Sequence, residues 1–300
     1  MLELKGCFTA LITPFKDGKP DLDALRELVK AQIKAGIDGL VPCGSTGEAA
    51  TLTEAEYLEV IKTVVVEADG RVPVVPGVGT NSTARSVEII GKVERLGADG
   101  ALAVVPYYNK PTQDGLIAHF SFLARSTRLP VVLYNIPGRT GVNMTPATTL
   151  ALRKKFRNIV GIKEASGNLD QVSEIIGGAD KDFAVMSGDD SLTLPMMSVG
   201  ARGVISVAGN VAPKEMSRMC GLFLKGELAA AGKLHHRLFG LIKTLFVETN
   251  PIPVKYAMHL LGYCSPEVRL PLTTLSVRRR GTIKNALINA GIRAGKVTPR

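Results

Sequence analysis

The chain has 300 residues, of which 45% are hydrophobic and 21% charged, a composition typical of a globular protein with a large core. No apolar stretch approaches the roughly 20 residues that span a membrane, and the first residues lack the basic and apolar regions of a signal peptide, so we expect a cytoplasmic protein. The net charge of +10 comes mostly from 268–300, which holds eight Lys or Arg and no acid. That placement favours a solvated tail and helix face over a nucleic-acid surface.

The predicted strands and helices alternate from the N-terminus to about residue 207. Apolar runs predict eight strands: Cys7–Thr13, Gly39–Cys43, Val72–Gly77, Ala101–Pro106, Val131–Asn135, Ile159–Glu164, Ala184–Ser187 and Gly203–Val207. Helical patterns lie between them: 22–35, 53–68, 82–96, 113–127, 146–155, 169–177 and 190–199. Eight βα units in this length predict an α/β TIM barrel. The alternative is a doubly wound open sheet, which usually has a Gly-rich phosphate loop after its first strand, and none follows Thr13 here.

Three predicted helices end in a Gly-x-x-Gly turn directly before a strand, at Gly36–Gly39, Gly97–Gly100 and Gly200–Gly203. Glycine adopts the left-handed conformation that closes a helix, so these turns predict a repeated helix-to-strand connection. After the eighth strand the pattern is wholly helical. The remaining helices are expected near 213–224, 227–246, 251–261 and 278–290. We therefore expect a barrel catalytic domain at 1–226 and a C-terminal helical region at 227–300 that packs on the barrel or on another subunit.

Cysteine and histidine give no sign of a metal site. The four cysteines, Cys7, Cys43, Cys220 and Cys264, include no C-x-x-C pair, and the four histidines show no ligand spacing with acidic residues or cysteine. We expect reduced thiols and no catalytic metal.

Lys163 is the most informative residue, because it lies in the short apolar run Asn158–Ala165 that predicts a buried strand. A buried ammonium group costs several kcal/mol of desolvation unless it is paired. Burial favours the free amine, which attacks carbonyl carbons and forms an imine with a small keto acid. The alternative is a lysine at a strand end whose amine reaches solvent.

Other polar residues follow the predicted strands, where TIM-barrel enzymes carry their reactive groups. They lie in Gly44–Glu48, Pro106–Pro111, Tyr134–Gly141 and Gly188–Ser191. Most of these segments can also be explained by a purely structural role. The Gly-Ser-Thr-Gly loop forms either a tight turn or an anion site. The tyrosines could serve packing alone. We expect Asp190 to cap the following helix.

These motifs, in this order and at this spacing, resemble the dihydrodipicolinate synthase family of pyruvate-dependent class I aldolases and lyases, from about residue 4 to residue 292. The resemblance implies condensation of pyruvate with aspartate 4-semialdehyde, no cofactor, and a homotetramer built as a dimer of dimers. It implies that Lys163 forms the Schiff base and that Tyr134 transfers protons. It further implies a hydrogen-bonded relay in which Thr46 joins Tyr134 to Tyr108 of a neighbouring subunit.

The resemblance also implies the substrate contacts. Ser45 and Thr46 would hold the pyruvate carboxylate, with Ser45 standing where the family more often has threonine. Arg139 would bind the carboxylate of aspartate semialdehyde, and the Ile205 carbonyl would face the lysine. Sibling enzymes on the same scaffold, such as N-acetylneuraminate lyase and keto-deoxy sugar acid aldolases, share the lysine and tyrosine. Arg139 favours the synthase over these siblings.

Some members of the family are inhibited by lysine bound at a dimer interface. The corresponding positions are Ala49, Glu54, Tyr57, Asn81, Arg85 and Tyr107. Lysine-sensitive members commonly have histidine at position 54 and glutamate at position 85. Arg85 puts a positive charge where a lysine ligand would need a negative one, so we expect weak inhibition or none. A barrel that only senses a keto acid is a further alternative, but it could lose the lysine or a relay tyrosine, and this chain keeps both.

Overall fold

The computed structural model describes residues 2–293, so the last part of the basic C-terminal segment lies outside the described residues. The strands are β1 (Gly6–Ala10), β2 (Phe15–Lys16), β3 (Lys19–Pro20), β4 (Gly39–Val41), β5 (Ala101–Val104), β6 (Val131–Asn135), β7 (Ile159–Glu164), β8 (Ala184–Ser187) and β9 (Gly203–Ser206). Seven of them form one parallel sheet in the order β4-β1-β9-β8-β7-β6-β5. Strands β2 and β3 form a small antiparallel hairpin that the sequence pattern did not predict.

The segment 72–78 closes this sheet into a barrel. Leu40 N–H donates to the Pro73 carbonyl (2.9 Å) on one side, and Leu102 N–H donates to the Pro76 carbonyl (2.8 Å) on the other. The predicted strand is present only as isolated bridges, because neither proline has an N–H for a regular ladder. The barrel prediction is confirmed and the open-sheet alternative is wrong.

The helices follow the predicted pattern closely. They are α1 (Leu22–Lys34), α2 (Glu54–Ala68), α3 (Thr83–Arg95), α4 (Gln113–Ser126), α5 (Pro137–Thr140), α6 (Pro146–Lys155), α7 (Leu169–Gly178), α8 (Thr193–Ser198), α9 (Pro213–Leu224), α10 (Leu228–Thr244), α11 (Ile252–Leu260) and α12 (Val277–Asn289). The pattern at 190–199 is a 3₁₀ turn followed by α8. The four-residue α5 was not predicted, since Pro-Gly-Arg-Thr is too short for a helical period.

Side chains alternate across the barrel wall. One buried cluster fills the barrel interior and includes Phe8, Val132, Tyr134, Met186 and Ile205. A second, larger cluster lies between the strands and the surrounding helices. Successive strand residues point to opposite faces, so each strand of the barrel contributes to both clusters.

The predicted Gly-x-x-Gly turns have the expected conformation. Gly36, Gly97 and Gly200 all have positive φ values, of 83°, 83° and 113°. In two of the turns an aspartate follows and accepts a hydrogen bond from a neighbouring strand: Asp38 from Cys7 N–H (2.7 Å) and Asp99 from Val74 N–H (2.8 Å). These carboxylates join consecutive units at the amino-terminal end of the barrel.

The C-terminal helices are attached to the barrel by a cluster that we call the clamp, which consists of Phe15, Glu48, Glu56, Lys255 and Arg269. Lys255 is fully buried; its Nζ lies 2.6 Å from Glu48 Oε1 and 3.9 Å from the Phe15 ring centroid. Arg269 contacts the opposite side of this network, with its backbone N–H donating to Glu48 Oε2 (2.9 Å) and its guanidinium donating to Glu56 Oε2 (2.7 Å). The Arg269 guanidinium lowers the pKa of Glu56 to about 2.

The division at residue 226 remains a prediction. Helix α9 packs on β1, and α10 packs on both α9 and α12. Within residues 2–293, no helix is long and apolar enough to cross a membrane.

Replacing Lys255 by Met should strongly destabilise the protein. The Glu48 carboxylate would stay buried without its counter-ion, which typically costs about 3–5 kcal/mol. Urea unfolding would measure the loss, with Lys243→Met on the exposed face of α10 as the matched control. Adding Glu48→Gln to Lys255→Met should restore a large part of the stability. A loss below about 1 kcal/mol for Lys255→Met would show that the Lys255–Glu48 ion pair contributes little to the stability of the protein.

His119 should make stability depend on pH. Burial lowers the pKa of its imidazole to about 4 from the ordinary 6.5, and its Nδ1 lies 2.9 Å from Thr83 Oγ1 on α3. Between pH 6.5 and 4 the unfolded chain binds a proton that the folded chain does not. The contribution of the neutral His119 to the free energy of unfolding is therefore complete above pH 6.5 and is lost as the pH falls towards 4.

Between pH 7.5 and 5 the titration of His119 should lower the free energy of unfolding by about 2 kcal/mol. His119→Gln should lose about that much less stability than the wild type over the same range. Urea unfolding at the two pH values measures it, and His236→Gln, at an exposed imidazole, is the control. Equal losses in wild type and His119→Gln would contradict the assignment.

Candidate active site

Lys163 and Tyr134 lie side by side at the carboxyl ends of neighbouring parallel strands. They are paired in the register between β6 and β7, and each is 6% exposed. The Lys163 Nζ is 4.1 Å from the centroid of the Tyr134 ring. A Cβ at Gly188, in the loop after β8, would lie 2.6 Å from the Ala165 Cβ and 3.2 Å from Lys163 Cε, so the glycine leaves room beside the lysine.

The neighbouring Glu164 points away from the lysine, to the outer face of the barrel. Its buried carboxylate accepts hydrogen bonds from Asn135 Nδ2 (3.1 Å), Ser166 N–H (2.7 Å) and Gln171 Nε2 (3.0 Å). None of the ion pairs within residues 2–293 involves Lys163. The Lys163 amine therefore lies buried at the barrel mouth with no carboxylate partner among the described residues.

The loop Gly44–Glu48 follows β4 and lies at the same end of the barrel. It is a tight turn in which Gly47 N–H and Ala49 N–H both donate to the Gly44 carbonyl. Thr46 is 4% exposed, whereas Ser45 is exposed. The loop therefore forms a tight turn with the exposed Ser45 at the barrel mouth, and whether it also binds an anion stays a prediction.

Arg139 lies on α5, directly after β6. Its Nη2 donates to the backbone carbonyl of Asn250 (3.2 Å), and the Asn250 side chain donates from Nδ2 to Thr46 Oγ1 (3.0 Å). Asn250 is 6% exposed and belongs to the connection between α10 and α11. Sequence reasoning missed this residue, although an asparagine before Pro-Ile-Pro between two helical patterns is a signal that the chain turns there.

The tyrosines after β5 point outward in the single chain. Tyr108 is 89% exposed and Tyr107 is 38% exposed. Tyr108 and Lys110 have positive φ values, 74° and 45°, an uncommon conformation for residues with side chains of this size. The structure therefore brings Lys163, Tyr134 and Thr46 into the barrel mouth and leaves Tyr108 on its outer surface.

Ile205 is 1% exposed on β9 and belongs to the same interior cluster as Tyr134. Asp190 holds the chain that follows, because its carboxylate accepts from Val207 N–H (3.0 Å), Ala208 N–H (3.1 Å) and the Ser206 hydroxyl. Burial raises the pKa of Asp190. The expectation that Asp190 is a helix cap is wrong; Asp189 accepts from Ser191 N–H instead (2.8 Å), because its side chain faces the start of the 3₁₀ turn.

Other ionisable groups do not compete with Lys163 as the site of chemistry. Lys255 has a lowered pKa because of burial, but its amine is enclosed by Glu48, Phe15 and the Glu267 carbonyl (2.7 Å). In the part of the chain that the structure describes, no three His, Cys, Asp or Glu side chains are grouped to hold a metal. An open groove of about 790 Å³, lined by Glu3, Asp38 and Asp99 among others, lies at the opposite, amino-terminal end of the barrel.

The positions of the possible inhibitor site surround α2, α3 and the loop after β5: Ala49, Glu54, Tyr57, Asn81, Arg85 and Tyr107. Tyr57 is buried and its hydroxyl donates to the Gly77 carbonyl. Glu54 forms an ion pair with Lys92, and Arg85 is exposed on α3. Whether these residues bind a ligand stays a prediction.

The chain is similar to proteins of one family over nearly its whole length. Residues 3–290 match the model of the Dihydrodipicolinate synthetase family. A 4-hydroxy-tetrahydrodipicolinate synthase from Nitratidesulfovibrio vulgaris (strain Miyazaki F) is 46% identical over 291 residues, which are 97% of this chain and 100% of the relative.

Solved structures agree with that match. Dihydrodipicolinate synthase from Aquifex aeolicus has a TM-score of 0.96 and 45% identity, and the match covers 98% of this chain and 100% of the other. A structure described as a monomeric dihydrodipicolinate synthase variant has a TM-score of 0.95 and 42% identity, covering 96% and 97%. These matches extend over the barrel, the lysine strand and the C-terminal helices, and the chain belongs to the dihydrodipicolinate synthetase family.

Proposed function

We propose that this chain condenses pyruvate with L-aspartate 4-semialdehyde to give 4-hydroxy-tetrahydrodipicolinate, the first committed step of lysine (diaminopimelate) biosynthesis. The observation that carries the proposal is the Lys163 amine, which is buried at the barrel mouth against the Tyr134 ring and has no carboxylate partner among the described residues. The names of its relatives support the synthase over sibling aldolases.

The reaction begins when the Lys163 amine adds to the pyruvate ketone and water leaves, which forms an imine. The protonated imine withdraws electrons from the adjacent carbon, so a methyl proton leaves and an enamine forms. The enamine carbon attacks the aldehyde carbon and a new C–C bond forms. The amino group of the second substrate then attacks the imine carbon, closes the ring and releases Lys163 as a free amine.

The surrounding residues supply proton transfer and orientation. Tyr134, beside the amine, would carry protons to and from the imine, a role typically worth about 10²–10⁴-fold in rate. Ser45 and Thr46 would bind the pyruvate carboxylate, and the Ile205 carbonyl would orient the lysine. Arg139 offers a planar guanidinium to the carboxylate of the second substrate. No step requires a cofactor, because the lysine itself provides the electron sink.

Tyr108 would complete the relay in a neighbouring subunit. Its 89% exposure and its positive φ present the phenol away from its own barrel, which is the orientation that a residue donated to a partner needs. We propose a homotetramer made of two such dimers, acting in the cytoplasm.

Reduction with borohydride in the presence of pyruvate should trap one covalent adduct, on the peptide that contains Lys163. Peptide mass mapping gives the site, and Lys163→Ala should abolish both the adduct and condensation. Lys110→Ala, in an exposed loop, is the matched control and should still be labelled. An adduct on another lysine, or none, would exclude the mechanism. Trapping without condensation of aspartate semialdehyde would instead exclude the assigned second substrate.

L-Lysine should inhibit the enzyme weakly or not at all, because Arg85 repels a cationic ligand and Glu54 is already paired with Lys92. Steady-state assays with increasing lysine measure this. Arg85→Glu should increase inhibition at least several-fold, whereas Arg95→Glu, at the far end of α3, should not. Potent inhibition of the wild type by lysine would refute the expectation.

A further inference from the structure

Asn250 joins two residues of the candidate site that are far apart in sequence. Its Nδ2 donates to Thr46 Oγ1 on the loop after β4 (3.0 Å), and its backbone carbonyl accepts from Arg139 Nη2 on α5 (3.2 Å). The side chain is 6% exposed, so water does not compete effectively for these contacts. The C-terminal region therefore contacts both Thr46 and Arg139 through one residue.

Asn250 is the donor in its hydrogen bond to Thr46. A threonine hydroxyl has one proton and two lone pairs. Since the Asn250 amide N–H occupies one lone pair, the Thr46 proton is free to be donated elsewhere, away from Asn250. The relay described above needs Thr46 to present such a proton towards the Tyr134 oxygen.

The helix that follows holds Asn250 in place. Lys255 on α11 binds Glu48, two residues after Thr46 in the same loop (2.6 Å), and Lys255 N–H donates to the Pro251 carbonyl (2.9 Å). The Gly44–Glu48 loop is thus attached to the C-terminal region at both Thr46 and Glu48. Two attachments within three residues fix the rotation of the loop as well as its position.

We propose that Asn250 is a positioning residue: its amide N–H orients the Thr46 hydroxyl so that the threonine proton is donated into the active site. This inference rests on the proposed function. The Asn250 Oδ1 is buried and has no donor within residues 2–293. In the opposite amide orientation, Oδ1 would accept a hydrogen bond from the Thr46 hydroxyl, and the threonine proton would not be available to Tyr134. The experiment must therefore separate the two orientations.

Asn250→Asp is the decisive variant, because it keeps the shape and replaces the N–H donor by a carboxylate acceptor. The ionised aspartate should accept a hydrogen bond from the Thr46 hydroxyl, so that the threonine proton no longer points into the active site. We expect kcat to fall on the order of 10- to 100-fold at neutral pH. As the pH falls and the aspartate becomes protonated, it can donate to Thr46 again. The deficit relative to the wild type should then shrink.

Two further variants complete the test. Asn250→Ala should lower kcat by a factor that does not vary with pH, and it should leave KM for aspartate semialdehyde within about threefold because the backbone carbonyl still binds Arg139. Asn168→Asp makes the same chemical change at the exposed N-cap of α7, where a carboxylate accepts equally well, and should behave like the wild type.

The outcomes separate this inference from the proposed function. If the wild type forms no pyruvate adduct and no condensation product, the proposed function fails. If the wild type is active and Asn250→Asp keeps full kcat from low to neutral pH, the Asn250 inference is overturned. A deficit that is the same at every pH in both Asn250 variants also overturns it, since it would reflect packing alone. Recovery at low pH cannot come from a misfolded variant.

Discussion

The alternation of side chains along β7 is the constraint on which the site depends. Ile162 and Glu164 face the surrounding helices, so Lys163 between them must face the barrel interior. The parallel register with β6 then sets Tyr134 beside it. Slipping this register by one residue would exchange the amine with an apolar side chain and bury Glu164 in the barrel. The core packing of two strands therefore fixes the geometry of the Lys163 and Tyr134 pair.

Burial costs are met differently for Lys163 and Lys255, the two buried lysines among residues 2–293. Lys255 is paired with a carboxylate, lies over an aromatic ring and donates to a carbonyl, so three partners offset the cost of burying its charge. Lys163 has the Tyr134 ring and no ion pair among the described residues. A buried lysine held by a carboxylate is a structural element, whereas Lys163 has no carboxylate that engages its side chain among the described residues. The same residue type thus serves attachment in one place and, in the proposed function, reactivity in the other.

The C-terminal helices take part in the site through the same attachment. The clamp fixes the loop that carries Thr46, and Asn250 lies at the start of the helix that carries Lys255. A barrel without this region would lack the partner of Glu48 and both contacts of Asn250. The family match likewise extends beyond the barrel strands to residue 290.

Sequence patterns were sufficient for most of the elements and for the placement of Lys163 in a buried strand. Hydrophobic periodicity and Gly-x-x-Gly turns depend on local chemistry, so they predicted seven regular strands and most helix boundaries. The strand at Val72–Gly77 was predicted from its apolar run, but Pro73 and Pro76 reduced it to bridges. Asp190 was misassigned because its partners, Val207 and Ala208, come from the next βα unit, and no local pattern reveals them.

The amino-acid sequence by itself determined the barrel, its order of strands and helices, and the presence of an amine in an apolar strand near the barrel mouth. Only the tertiary structure decided which polar groups meet there: Asn250 with Thr46 and Arg139, and Lys255 with Glu48 rather than with solvent. The physical reason is that strand and helix formation depends on neighbours a few residues apart. The charge and hydrogen-bond partners of a buried group come from segments up to about 200 residues away, and only the closed barrel brings them within 3 Å.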